Sequence, residues 1–185
     1  MEKHSIVCLV MAVCIGLLSG CGRKEVSDDN LYGDIIAKLE DDEQFSLVET
    51  GEQNRVLLTT DLTYDDGSGH NAALYCDVYY AANEKVYPLG KIESMGTAYP
   101  VRSGKECIYT ASGHSLEVYR FDNKNQKWIT SKYDEILDAE GNAAYQYTDD
   151  GRTETITEED FLKAMEEYGS AMVVNFGYGA SDNPL

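Results

Sequence analysis

The stretch DLTYDDGSGHNAALYCDVYY, residues 61–80, sets two readings against each other. Asp61, Asp65 and Asp66 crowd a loop with Gly67 and Gly69, as a calcium site would require. An EF-hand loop needs alternating oxygen ligands, a glycine at its sixth position and a glutamate at its twelfth. Counting from Asp61 puts Asp66 and Ala72 at those two positions. Counting from Asp65 puts Gly67 and Gly69 where ligands belong. Neither register works. A β-hairpin accounts for more: both flanks alternate in polarity, the glycines allow positive φ, and the aspartates can bond turn amides. The expectation is a hairpin without a specific metal, and the alternative is an irregular calcium site on Asp61, Asp65 and Asp66.

The period-two pattern extends outward from this stretch. Val56, Leu58, Leu62 and Tyr64 share one strand face, with Thr60 among them. Ala72, Leu74, Cys76, Val78 and Tyr80 share another, and Tyr75, Asp77 and Tyr79 lie opposite. Further strands are predicted over 85–93, 106–111, 115–121, 127–132, 143–147 and 152–157. Turn signals separate them, among them Asn83-Glu84, Ser112-Gly113, Glu140-Gly141-Asn142 and Asp149-Asp150-Gly151. Short strands at this spacing predict a mainly β (α+β) fold, an antiparallel meander, sandwich or propeller-like fan. A helix is predicted at each end. The first runs from a cap at Asp29 or Asn30 through Leu31, Ile35 and Leu39 to the acidic cluster at Glu40–Glu43. The second opens at Thr157 as N-cap, with Glu158, Glu159 and Asp160 in its first turn. It turns Phe161, Met165 and Tyr168 inward with Leu162 beside them, and Gly169 is its stop. A last strand is expected over 171–176.

The first twenty residues, MEKHSIVCLVMAVCIGLLSG, have the organisation of a secretory signal peptide, with an apolar run too short to span a membrane. Leu18-Ser19-Gly20-Cys21 resembles the lipobox of bacterial lipoproteins. There, small residues admit the peptide to a membrane protease and the cysteine thiol carries a diacylglycerol. Residues 1–20 are thus read as the lipoprotein signal peptide, 21–30 as a polar tether, and 31–185 as a single β-rich domain. Cys21 is the predicted lipidation site. One diacylglycerol brings two chains, enough for stable anchoring. The predicted location is the extracytoplasmic face of the cell membrane.

Acidic residues outnumber basic ones 33 to 15, for a net charge of −18. Removing Glu2 and Lys3 with the leader leaves that balance unchanged. Such a charge argues against nucleic acid and against docking onto anionic lipid, which leaves the lipid on Cys21 to hold the protein at the membrane. Beyond Cys21, the domain keeps Cys76 and Cys107. In an exported protein these are candidates for a disulfide, and the alternative is two buried thiols.

Motifs for chemistry are sparse. Gly113-His114-Ser115 is not a hydrolase elbow, and there is no H-E-x-x-H, P-loop or dinucleotide fingerprint. His70 and His114 lie in glycine-containing turns. No cofactor is implied. Of 14 tyrosines, Tyr75 and Tyr79 form a candidate ligand face for sugar or protein, and the alternative is that tyrosine simply packs well on half-buried strands.

The segments DLTYDDGSGHNAALYCDVYY, KIESMGTAYP and YTASGHSLEVYRF resemble small lipoproteins of gut Firmicutes of the clostridial type. That resemblance implies location and an antiparallel β domain, and no activity. The expected function is a membrane-anchored, non-catalytic binding or interaction module with a protein or glycan ligand. The alternatives are a cell-surface hydrolase acting on glycans or cell wall, and a structural envelope protein.

Overall fold

The computed structural model describes residues 31–50, 55–122, 125 and 127–179. The leader, Cys21 and the tether lie outside them. In chain order the elements are α1 (Gly33–Ile36), β1 (Gln44–Glu49), β2 (Arg55–Thr60), β3 (Tyr64–Asp65), β4 (Asn71–Ala72), β5 (Tyr75–Ala82), β6 (Lys85–Glu93), β7 (Arg102–Ser103) and β8 (Ile108–Ala111). There follow β9 (Ser115–Asp122), β10 (Lys127–Leu137), β11 (Ala143–Asp149), β12 (Arg152–Ile156), α2 (Glu158–Ser170), β13 (Met172–Val173) and β14 (Tyr178–Gly179). The fold is mainly β and every strand pair is antiparallel. One sheet has the order β14-β1-β2-β5-β6, the other β12-β11-β10-β9-β8-β7-β13, and β3-β4 is a separate ribbon.

The opening stretch is a hairpin. Tyr64 pairs with Ala72 and Asp65 with Asn71, and Gly67 and Gly69 carry the positive φ angles, 81° and 93°. The alternating run does not continue unbroken. The chain leaves the ribbon at Ala73, whose carbonyl accepts the Val101 amide, and Leu74 accepts that of Ser94 before β5 begins. From Cys76 the predicted alternation holds: Cys76, Val78 and Tyr80 are buried and Asp77 is exposed.

β2 departs from a one-sided pattern. Val56 and Leu58 enter the main core, but Leu57 is also fully buried, against Tyr32, Ile36 and Phe45 on the other face. The strand ends at Thr60, and Leu62 is exposed rather than facing the core. The cover on the second face comes from around α1. Of the N-terminal helix expected over 31–39, one α-helical turn is present, with Gly33 inside it. The Glu43 carboxylate accepts the Glu40 amide at 2.7 Å and shapes the turn that leads into β1. Tyr32 holds the turn down: its hydroxyl donates to the Arg55 carbonyl at 2.7 Å and accepts the Ala81 amide at 2.8 Å.

The two sheets share a core. Val56, Leu58, Cys76 and Val78 of the smaller sheet pack in one cluster with Ile108 of the larger and with Val101, Val174 and Phe176 from connecting segments. α2 covers Leu116 and Val118 through Ala164 and Tyr168. Its Thr157 cap forms as predicted, with Asp160 completing the capping box. Leu162 points outward, not onto the apolar face. The last strand is shorter than expected. β13 joins the larger sheet and β14 the smaller, so residues 172–179 cross between them. Among the described residues, no helix is long and apolar enough to cross a membrane.

Candidate functional site

That crossing opens a cleft of about 830 Å³ between two strand edges. One wall is β1 from Phe45 to Glu49, and the other is the segment 170–175. The apex is where β14 pairs with Gln44 and Phe45. Continued in the same register, that pairing would set Phe176 opposite Leu47 and Asn175 opposite Val48. Instead the Phe176 amide donates to the Asn71 carbonyl at 2.8 Å, and the Val174 amide to Val101 at 3.1 Å. The Asn175 side chain accepts the Asn71 amide at 3.0 Å. The chain is thereby drawn off β1, which leaves a fork between them among the described residues.

Each wall is held from behind. β1 pairs with β2 along its whole length, and Phe45 is fully buried. On the other wall, Arg102 Nη1 donates to the carbonyls of Gly169 at 3.0 Å and Ala171 at 2.7 Å, tying down the end of α2. The guanidinium also lies 5.0 Å from the Tyr168 ring centre, and the Tyr168 hydroxyl bonds the Pro100 carbonyl. Among the described residues, the charged ones lining the cleft are Glu49, Arg55 and Lys105, and Met172 at its rim is 73% exposed.

The residues singled out in the sequence lie elsewhere. The Tyr75 hydroxyl donates to Asp61 at 2.7 Å, and Lys91 Nζ sits 4.2 Å from its ring centre. That hydrogen bond lowers the Asp61 carboxyl and raises the Tyr75 phenol. Tyr79 packs into the cluster beneath α1. The two rings thus sit in different surroundings, one polar and one apolar, not on a single open platform.

The loop carboxylates are engaged separately. Asp65 accepts the Gly67 amide, and Asp66 accepts the Ser68 amide and hydroxyl. Ser68, together with His70, holds the Asp66 carboxyl well below the usual carboxylate range. His70 Nδ1 lies 3.1 Å from Asp66, while His114 Nδ1 lies 2.7 Å from Glu135. Among the described residues, no group of three His, Cys, Asp or Glu side chains is placed to hold a metal. Cys76 and Cys107 are both buried free thiols in different clusters, so the disulfide considered from the sequence does not form.

A second concavity, about 460 Å³, lies between α2 and the larger sheet. Tyr133 and Tyr147, with ring centres 4.8 Å apart, line it with Glu154, Lys163 and Glu167.

Sequence reasoning missed the cleft because its walls come from the start and the end of the domain. A local signal existed only in the interrupted apolar run over 171–176. Comparison with family models, with curated proteins and with solved structures returned no match.

Proposed function

We propose that this chain is a lipid-anchored, extracytoplasmic, non-catalytic binding module, akin to the small clostridial lipoproteins its sequence resembles. Its two antiparallel sheets would form a sandwich-like body. Cys21 would carry the lipid and residues 21–30 would be the tether. The observation that carries the binding reading is the cleft between β1 and 170–175, a concave surface with rigidly held walls. The net charge of −18 supports a body that stands off from anionic lipid and depends on its anchor. Changing Cys21→Ser in the producing cell should move the protein from the membrane fraction to the medium or leave the precursor uncleaved. Unchanged processing and membrane association would refute the anchor.

The alternative, a surface hydrolase acting on glycans, draws its support from the groove where Tyr133 and Tyr147 meet Glu154 and Glu167. Aromatic faces and carboxylates are the parts a glycosidase uses. Release of reducing ends from cell-wall or plant glycans, lost in both Glu154→Gln and Glu167→Gln, would favour it over the binding reading.

A further inference from the structure

We propose that the groove between α2 and the larger sheet binds an organic cation through an aliphatic ammonium group, seated on Tyr133 and Tyr147 beside the carboxylates of Glu154 and Glu167. This is a second site, separate from the cleft that carries the binding-module reading.

The groove follows from what α2 turns inward. Its buried positions are Phe161, Ala164 and Tyr168. Phe161 packs on Tyr145 with ring centres 5.4 Å apart, and Tyr168 on Tyr109 at 6.3 Å. Between these two anchors the inward position carries only the methyl group of Ala164. A hollow of about 460 Å³ remains there, over Tyr133 and Tyr147. The two tyrosines stand opposite each other on β10 and β11, and Glu154 stands opposite Tyr147 on β12, so all three share the face that α2 covers. Tyr133, Tyr147 and Ile156 make a half-buried floor. Glu154, Asp160, Lys163 and Glu167 make an exposed rim.

Floor and rim point to the same ligand. The face of an aromatic ring is negative and attracts a cation within about 6 Å of its centre. The Tyr133 and Tyr147 centres are 4.8 Å apart, so one cation in the groove comes within reach of both. Among the described residues neither phenol hydroxyl is engaged in a hydrogen bond, so each can accept one from an N–H donor.

At the rim three carboxylates stand against one ammonium, that of Lys163. Asp160 is committed to the Thr157 capping box, and the charge of Lys163 acts on it. The carboxylates of Glu154 and Glu167 have neither a hydrogen bond nor an ion pair among the described residues. Arg120 and Asp149 also act on Tyr133, with opposite signs, and leave the balance unchanged. The whole chain, at −18, draws cations and repels anions. An acidic rim alone would be an ordinary solvated surface. The ring faces beneath it set this place apart. A neutral sugar could stack on the rings but would gain nothing from the excess negative charge, which favours an ammonium group over a glycan.

The test is calorimetric titration of the full-length protein in detergent micelles with choline, with spermidine and with 3,3-dimethyl-1-butanol, the neutral isostere of choline. Choline, spermidine or both should bind, more weakly as salt rises, and the isostere should bind at least fivefold more weakly than choline. Choline alone would assign a quaternary head group, and spermidine alone a primary or secondary amine. Tyr147→Leu, which keeps apolar bulk and removes the ring, should weaken binding about fivefold, and Glu167→Gln about threefold. Lys163→Gln removes the competing cation from an exposed position and should strengthen binding about twofold, a gain that a misfolded variant would not show. Glu166→Gln, on the outer side of α2, should change nothing. Failure of both cations to bind overturns the proposal, as does binding that Tyr147→Leu and Lys163→Gln both leave unchanged. Equal affinity for the isostere would show an apolar pocket and overturn it too. Binding of a neutral glycan in place of either cation, lost in Tyr147→Leu, would assign the groove to sugar. None of these outcomes bears on the cleft, so the binding-module reading stands or falls separately.

Discussion

The rings of Tyr80 on β5 and Phe121 on β9 stack with centres 3.4 Å apart. The contact joins the two sheets, and Trp128 packs edge-on against Phe121 at 6.2 Å. Removing a fully buried ring costs about 3–5 kcal/mol. Phe121 is half-buried, so Phe121→Ala should cost about 2–3 kcal/mol. Urea unfolding followed by the single tryptophan would measure it. A loss under about 0.5 kcal/mol would mean that the sheets hold together without this stack.

The β5–β6 hairpin turns at Asn83 and Glu84, with φ of 52° and 61°. Ala82 pairs with Lys85, so the loop has two residues, both left-handed, as a type I′ turn requires. Asparagine tolerates this conformation and glutamate does so at a cost. Glu84→Gly should raise stability by roughly 0.5–1 kcal/mol, net of the extra freedom glycine gives the unfolded chain. An unchanged or lower urea midpoint would argue against a two-residue I′ turn here.

These examples mark what local sequence can and cannot specify. The turns at Asn83-Glu84 and Asp149-Asp150-Gly151 were legible because positive φ is a property of one or two residues. So was the Thr157 cap, whose partners lie within one helical turn. The sequence pattern predicts this strand only over 127–132, whereas β10 extends five residues further. The strand runs on because its pairing does: β9 accompanies it to Asp134, opposite Ser115, and β11 carries it to Leu137, opposite Ala143. Leu57 looked outward-facing until the turn at α1 covered it. Strand order was illegible for the same reason, and with it the cleft: no local pattern states that β14 joins β1 while β13 joins β7.

In the loop of the opening stretch, Asp66 is bonded by Ser68 and His70, and its folded pKa lies below the ordinary value. A lowered folded value means that its contribution is complete above the unfolded pKa of about 3.9 and fades as pH falls toward the folded one. Asp66→Ala should therefore lower the urea midpoint at neutral pH, and the gap to the parent protein should narrow below about pH 4. A gap that stays constant on acidification would show that the carboxylate charge is not what holds the loop. Calorimetry with calcium should find no submicromolar site in the parent protein, because Asp61 is bonded to Tyr75, Asp65 to Gly67 and Asp66 to Ser68.

Cys76 is fully buried in the core that joins the sheets, where burial raises its thiol pKa, with the neighbouring Asp77 charge adding to the effect. The thiolate is the reactive form, so the side chain is both inaccessible and in the wrong protonation state for attack. Cys107 is 5% exposed and lies in the separate cluster under α2. Its carbonyl accepts the Gly104 amide at 2.9 Å, and a side chain at Gly104 would meet its sulfur at 3.0 Å. Both thiols are free and walled in by different parts of the fold. Iodoacetamide should therefore label neither in the native protein, and both should react once urea unfolds it, without reductant. On the soluble domain lacking residues 1–30, two labels under denaturing, non-reducing conditions separate this from a disulfide, which would give none. Rapid native labelling of Cys76 would place that residue outside the core and reopen the assignment of every residue that alternates with it on β5.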